Sequence, residues 1–426
     1  MELNEQAFSG LNELTDLNLA DNNIWSTNTE TFCPMYSLKV LNLTKNHLQN
    51  IKSIGFSDSM IEQNLSVKSC NLVIEVLDLS NNDLIVITDN SLSKLRSLSK
   101  LYLNDNAIST IENGAFGGLS GLQVLNLSNN FLNSLPEDIF SETKFLKEIY
   151  LCNNTLNEIP QGIFENLGEL QVLEISMNAL TNGWLSKDPF VGLLRLVILN
   201  LSYNHLTKID KIIFKDLYSL QKLNLEHNDI LSIEEHAFLE LRNLHSLTLS
   251  NNKLVHVHSH LFSDLHILHE LFIDNNKIKH IDENAFENMT SIEDLGLNDN
   301  FLSVIPASIR KLRSLRSLDI GNNNISHIHG EHFRGLTKLY VLNLASNKIK
   351  LVAPNCSNAG YREVPQRIPM DATEIYLDGN NITNLGNHVF IGKKKLQVLF
   401  LNNTNLLDVN NQTFKGIESL RVLHLE

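Results

Sequence analysis

Cysteine is scarce, with four residues in a chain of 426, too few for the dense disulfide framework that holds small secreted domains together. Positive charge is also in deficit. Lys and Arg number 34 against 48 Asp and Glu, a formal net charge of −14, which argues against a general nucleic-acid binder, normally basic. No apolar run reaches the roughly 18 residues of a membrane-spanning helix. The densest, Phe190 to Leu199, is broken by Gly192 and Arg195, so no transmembrane helix and no membrane contact by this chain are expected. The opening MELNEQAFSGLNEL has neither a basic n-region nor an apolar h-region, and no signal peptide is expected there. The sequence contains no G-x-G-x-x-G, P-loop, H-E-x-x-H, C-x-x-C or G-x-S-x-G, the motifs that most often mark phosphate, metal, redox or nucleophilic chemistry. We therefore expect no catalytic residue, no cofactor and no metal ligand, and read the chain as not an enzyme. Paired carboxylates such as Glu234 and Glu235, and the basic clusters Lys393–Lys395 and Arg310-Lys311 with Arg313 and Arg316, read as solvated surface.

What is abundant is leucine and asparagine in fixed order. Leu122-Gln-Val-Leu125-Asn-Leu127-Ser-Asn-Asn130-Phe-Leu132 has the form L-x-x-L-x-L-x-x-N-x-L, the signature of one leucine-rich repeat. The repeat asparagine recurs as Asn22, Asn46, Asn82, Asn106, Asn130, Asn154, Asn178, Asn204, Asn228, Asn252, Asn276, Asn300, Asn323, Asn347 and Asn380, mostly at 24-residue intervals. Thr404 holds the place in a sixteenth unit, and a seventeenth starts at Leu420-Arg-Val-Leu423-His-Leu425. The x-Leu-x-Leu-x stretch alternates in and out, which makes it a short strand. Successive strands lie parallel, and the rest of each unit supplies the crossover. The predicted fold is an α/β leucine-rich-repeat solenoid, a horseshoe with a parallel β-sheet on its concave face and short helical, 3-10 or irregular segments on its convex side. Each repeat asparagine is expected at a strand end, pairing its amide with backbone groups freed by the turn.

A second column lies six residues before the first motif position: Phe8, Phe32, Phe116, Phe140, Phe164, Phe190, Phe214, Phe238, Phe262, Phe286, Phe333, Phe390 and Phe414, with Leu92 and Ile309 as substitutes. These aromatics are expected to fill the broad return side of each coil.

Two breaks divide the ladder. The first is an insertion at residues 50–73 that carries Cys70, nearly in phase with Cys33 on the preceding coil. A Cys33–Cys70 disulfide is expected; two free buried thiols are the alternative. The second break runs through Cys356 and three of the chain's eight prolines, Pro354, Pro365 and Pro369. We read residues 1–353 as a first block of about 14 repeats and 354–426 as the remnant of an N-terminal cap with about three more. With the ends uncapped as well, the chain reads as a piece of a longer protein.

Eleven N-x-S/T sequons favour an extracellular surface: Asn42, Asn64, Asn126, Asn153, Asn200, Asn288, Asn324, Asn355, Asn381, Asn402 and Asn411. Residues between the two strand leucines project from the concave face, where Tyr102, Tyr150 and Phe272 are the exposed aromatics a binding surface would use. Asn42, Asn126 and Asn200 occupy that same position, so glycans there would push a protein ligand to the flank or to a glycan-free part. Histidines are dense in two repeats: His256, His258, His260, His266, His269 and His280. His256, His280 and His327 share one column, and His256 and His280 fall on adjacent coils. A pH-sensitive patch or adventitious metal site is one reading; solvent-exposed polar surface is the other.

The stretch I-P-M-D-A-T-E-I-Y-L-D-G-N followed by N-H-V-F-I-G-K-K, within residues 363–401, resembles the second repeat block of the long insect Toll receptors. Phe32-Cys-Pro, Cys70 and E-V-L-D-L-S-N-N-D-L are similar to their first block. The resemblance implies the ectodomain of a single-pass cell-surface receptor of the Toll-like receptor family, in innate immune or developmental signalling. Its partner would be a cystine-knot cytokine of the Spätzle type or a cell-surface protein, with receptor dimerisation. It supports the Cys33–Cys70 pair and carries over no ligand residues. A secreted or anchored leucine-rich-repeat adhesion protein is the competing reading.

Overall fold

The computed structural model describes the chain except for residues 29, 57–71, 329, 350–371, 381, 384, 387 and 388. It contains two compact units, Met1–Leu206 with Ile212–Leu220, and Thr207–Lys211 with Gln221–Glu426.

The first unit is a ladder of eight three-residue strands: Asp16–Asn18, Val40–Asn42, Val76–Asp78, Lys100–Tyr102, Val124–Asn126, Glu148–Tyr150, Val172–Glu174 and Ile198–Asn200. Neighbours pair in parallel with the central residues opposite one another: Leu17, Leu41, Leu77, Leu101, Leu125, Ile149, Leu173 and Leu199. From Leu41 onward this row has no exposed surface. The second unit repeats the plan with nine strands: Lys222–Asn224, Ser246–Thr248, Glu270–Phe272, Asp294–Gly296, Ser317–Asp319, Val341–Asn343, Glu374–Tyr376, Val398–Phe400 and Val422–His424. Their central residues also align in register. Three residues suffice for a strand because one inward leucine between two outward residues completes the alternation. Leu122, Leu125, Leu127 and Leu132 are all fully buried, each contributing about 2 kcal/mol of burial.

The repeat asparagines close the turns. Asn130 donates from Nδ2 to the carbonyls of Leu103 (3.0 Å), Leu127 (3.0 Å) and Ser128 (3.1 Å), and accepts at Oδ1 from the Ile108 N–H at 3.0 Å. The amide thus bridges its own coil to the one before. The same two-coil pattern recurs at Asn46, Asn82, Asn106, Asn154, Asn178, Asn204, Asn252, Asn276, Asn300, Asn323, Asn347 and Asn380. Asn228 donates to Leu225 and Glu226 of its own coil at 3.1 and 3.2 Å. Asn22 is exposed and reaches Leu19 and Ala20, while Thr404 substitutes a hydroxyl, donating to Leu401 at 2.7 Å. The residue before each ladder position is left-handed, with φ between 47° and 59° from Asp21 to Asn403; Gly379 fills the place before Asn380 with φ 63°. That explains the many N-N and D-N pairs, since Asn and Asp tolerate this conformation best among residues with a side chain.

The return side is a chain of tight turns around the stacked phenylalanines. Phe140 and Phe164 lie 6.1 Å apart between ring centroids, Phe238 and Phe262 6.0 Å, Phe262 and Phe286 6.4 Å, and Phe390 and Phe414 6.0 Å. Phe56 also belongs to this column, 5.7 Å from Phe32, so the aromatic column continues into the residues that the insertion was expected to occupy. Lys393 corrects one expectation. It is 1% exposed because it stands three residues after Phe390, where Leu241 follows Phe238 and Leu265 follows Phe262. Burial holds its ammonium below the usual lysine range. Cys33 is disulfide-bonded; Cys70 lies outside the described residues. Cys152 is free, its thiol donating to Ser128 Oγ at 3.0 Å. Among the described residues no helix is long and apolar enough to cross a membrane.

Candidate recognition surface

The outward residues of the strands form rows set by the parallel register. In the first unit one row runs Asn42, Asp78, Tyr102, Asn126, Tyr150, Glu174, Asn200. Tyr102 and Tyr150 are half-buried rather than fully exposed. The Tyr150 hydroxyl donates to Glu148 Oε2 at 2.8 Å. Burial first, then this bond, holds the Tyr150 phenol well above its usual range. Burial also raises Glu174. The row is therefore a fixed, partly desolvated surface with large amphipathic anchors.

The asparagines in the row make a distinct local structure. Asn42, Asn126 and Asn200 each accept at Oδ1 the N–H two residues on, from Thr44 (2.9 Å), Ser128 (3.0 Å) and Ser202 (3.0 Å). These Asx turns occupy the carbonyl oxygen. Other sequon asparagines are exposed: Asn153, Asn288 and Asn411. Asn324 and Asn402 are half-buried. Asn64, Asn355 and Asn381 lie outside the described residues.

In the second unit the corresponding row contains Phe272, half-buried and opposite Gly296. Two residues on, Asp274 accepts from Ser250 Oγ at 3.1 Å and from the Asn298 N–H at 3.2 Å. Burial pushes this carboxyl up to about 6. Gly296 is the residue that permits the arrangement, since a Cβ there would collide with the Asp274 carboxylate. Further along, Tyr376, Phe400 and His424 stack in register, with centroids 5.2 Å and 4.3 Å apart. The sequence reading did not single out this stack, though its three residues share one repeat position.

The histidines separate into two groups. His245 stacks on His269 at 5.3 Å beside the strands. His256 and His280 do approach, at 5.2 Å between ring centroids, and are joined by His258 at 4.0 Å from His256. Asp282, which the sequence reading left out, sits between them: His256 Nε2 is 2.7 Å and His280 Nε2 is 3.3 Å from its Oδ1. A surface cavity of about 660 Å³ adjoins this edge, lined by His280, Ile281, Val304, Pro306 and Arg310 among others.

Leucine-rich-repeat sequence models match residues 2–48, 12–72, 96–144, 144–206 and 372–426, and a BspA-type leucine-rich repeat region matches 185–275 and 207–340. The chain belongs to the leucine-rich-repeat family. Within this family it is 54% identical over 210 residues to Toll-like receptor 7 of Drosophila melanogaster, a match covering 49% of this chain and 14% of that receptor. The chain thus spans about a seventh of the length of that relative. Among solved structures, a leucine-rich-repeat protein of Leptospira interrogans superposes with a TM-score of 0.70 at 27% identity, covering 82% of this chain and 83% of that one. The Drosophila Toll–Spätzle complex gives a TM-score of 0.66 at 18% identity, covering 98% and 71%, a likeness of fold. The solenoid is thus shared by sequence and structure, and the likeness to Toll-like receptor 7 rests on the 210 aligned residues.

Proposed function

We propose that this leucine-rich-repeat chain is a ligand-recognising segment of a Toll-type cell-surface receptor ectodomain, acting outside the cell by protein–protein recognition and not by catalysis. The 54% identity to Toll-like receptor 7 over 210 residues carries the reading. The boundary at residue 354, with a cap remnant and a second repeat block after it, belongs to the same proposal, as does the Cys33–Cys70 pair pinning the insertion. The ligand is a cystine-knot cytokine of the Spätzle type. It docks on the outward strand face of the second unit, around Phe272, because the first unit's face carries sequons between its tyrosines. Receptor dimerisation follows ligand binding.

The test is direct binding of the secreted chain to a panel of purified cystine-knot cytokines by biolayer interferometry. At least one should bind, and Phe272→Ala should weaken it tenfold or more, about 1.4 kcal/mol. Tyr102→Ala and Tyr150→Ala should leave it unchanged. Failure of the whole panel would discard the ligand class; unchanged binding by Phe272→Ala would discard the docking face.

A further inference from the structure

Four titratable side chains form a square on one face of a short two-stranded ladder. His256–Val257 and His280–Ile281 run parallel, with His256 opposite His280 and Val257 opposite Ile281. Residues two apart along a strand share a face. The sequences His256-Val257-His258 and His280-Ile281-Asp282 therefore send the aliphatic residues inward and the other four outward. Burial agrees: Val257 and Ile281 are 0% and 4% exposed, His258 and His280 are exposed, and His256 and Asp282 are half-buried.

We propose that His256, His258 and Asp282 form a binding site for a divalent transition ion of the zinc class, with a fourth position within reach of His280. The ligand atoms of the three residues all lie within 4.8 Å of one another. Tetrahedral zinc with bonds of about 2.0–2.1 Å needs ligand atoms about 3.3 Å apart, inside the span from the 2.7 Å His256–Asp282 distance to that limit. Small side-chain rotations reach it. Asp282 is already oriented for the task. Its Oδ2 accepts the Ser259 N–H at 2.9 Å and the Ser259 hydroxyl at 3.1 Å, leaving Oδ1 toward the imidazoles, the outer-shell support that metal carboxylates use. Two imidazoles and one carboxylate suit zinc, copper or nickel; calcium and magnesium require oxygen-rich shells. The chain's net charge of −14 favours cation approach.

The experiment is isothermal titration of the untagged chain, freed of metal with a chelator, with ZnCl2. One ion should bind per chain and raise the melting midpoint. His256→Ala and His258→Ala should each weaken binding at least tenfold and the double variant should abolish it, whereas His266→Ala, on the return side, should bind as the parent does. Melting in chelator establishes that each variant is folded; where one is not, Asp282→Asn is the substitute, with the same tenfold loss expected. Zinc affinity unchanged in the double variant, equal competition by Ca²⁺ or Mg²⁺, or no binding at millimolar Zn²⁺ would overturn the proposal.

Discussion

A single asparagine amide ties two coils together through its side chain, adding to the backbone bonds of the strand ladder. Asn130 meets three carbonyls with its two N–H groups and caps one backbone N–H in a buried place. Asn130→Ala should cost about 2–4 kcal/mol, since buried partners left unpaired cost about 1–3 kcal/mol each. Asn130→Asp should cost at least as much, because a carboxylate oxygen would face carbonyl oxygens; urea unfolding midpoints measure both. Asp274 works in the opposite sense. Burial raises its folded pKa to about 6 from an ordinary 3.8. Between those values the folded chain holds a proton that the unfolded chain has released. Stability therefore falls as pH rises through that window and is greatest below it. Asp274→Asn should flatten this dependence and add up to about 3 kcal/mol at neutral pH, at about 1.4 kcal/mol per pH unit. Melting curves from pH 3.5 to 7 check it; an unchanged pH profile would contradict it.

At the scale of the element, the sequence was most legible where one unit copies another. The three-residue strands, their register and the asparagine ladder all follow from a 24-residue spacing, because a solenoid repeats its contacts coil by coil. Legibility fails where the copying is interrupted or the signal is only two residues long. Phe56 was missed because the insertion after it moves Ile74 out of its expected distance, although the ring still stacks on Phe32. Lys393 looked like one of three solvated lysines because its charge outweighed its phase, yet the return turn places it in the leucine column and buries it. Asp282 escaped notice for another reason. The strand just before it, His280–Ile281, is too short to show alternation, and only the pairing with His256–Val257 reveals which face it shares. The half-burial of Tyr102 and Tyr150 was likewise invisible, since position between the strand leucines marks a residue as outward-facing without giving its exposure.

At the scale of the whole molecule, the two units carry the same scaffold but offer different outward faces. In the first, Asn126 stands in register between Tyr102 and Tyr150, so a glycan on its Nδ2 would rise between the two aromatic anchors. The Asx turn engages the oxygen and leaves that nitrogen pointing away from it; Asn42 Oδ1 is held alike, and Asn200 makes the same turn while its amide also bonds the Glu174 carboxylate. In the second unit the same row reads Asn224, Thr248, Phe272, Gly296, Asp319, Asn343, Tyr376, Phe400 and His424, and neither Asn224-Leu-Glu nor Asn343-Leu-Ala is a sequon. Expression in a secretory host should therefore give glycans at Asn42, Asn126 and Asn200 by peptide mapping, with a mobility shift on glycosidase treatment. A protein ligand's hydrogen-exchange footprint should then fall on residues 222–343 and spare 100–150. Unoccupied Asn126, or a footprint centred on Tyr102 and Tyr150, would return the contact to the first unit, where the tyrosine row would serve as the anchor in place of Phe272.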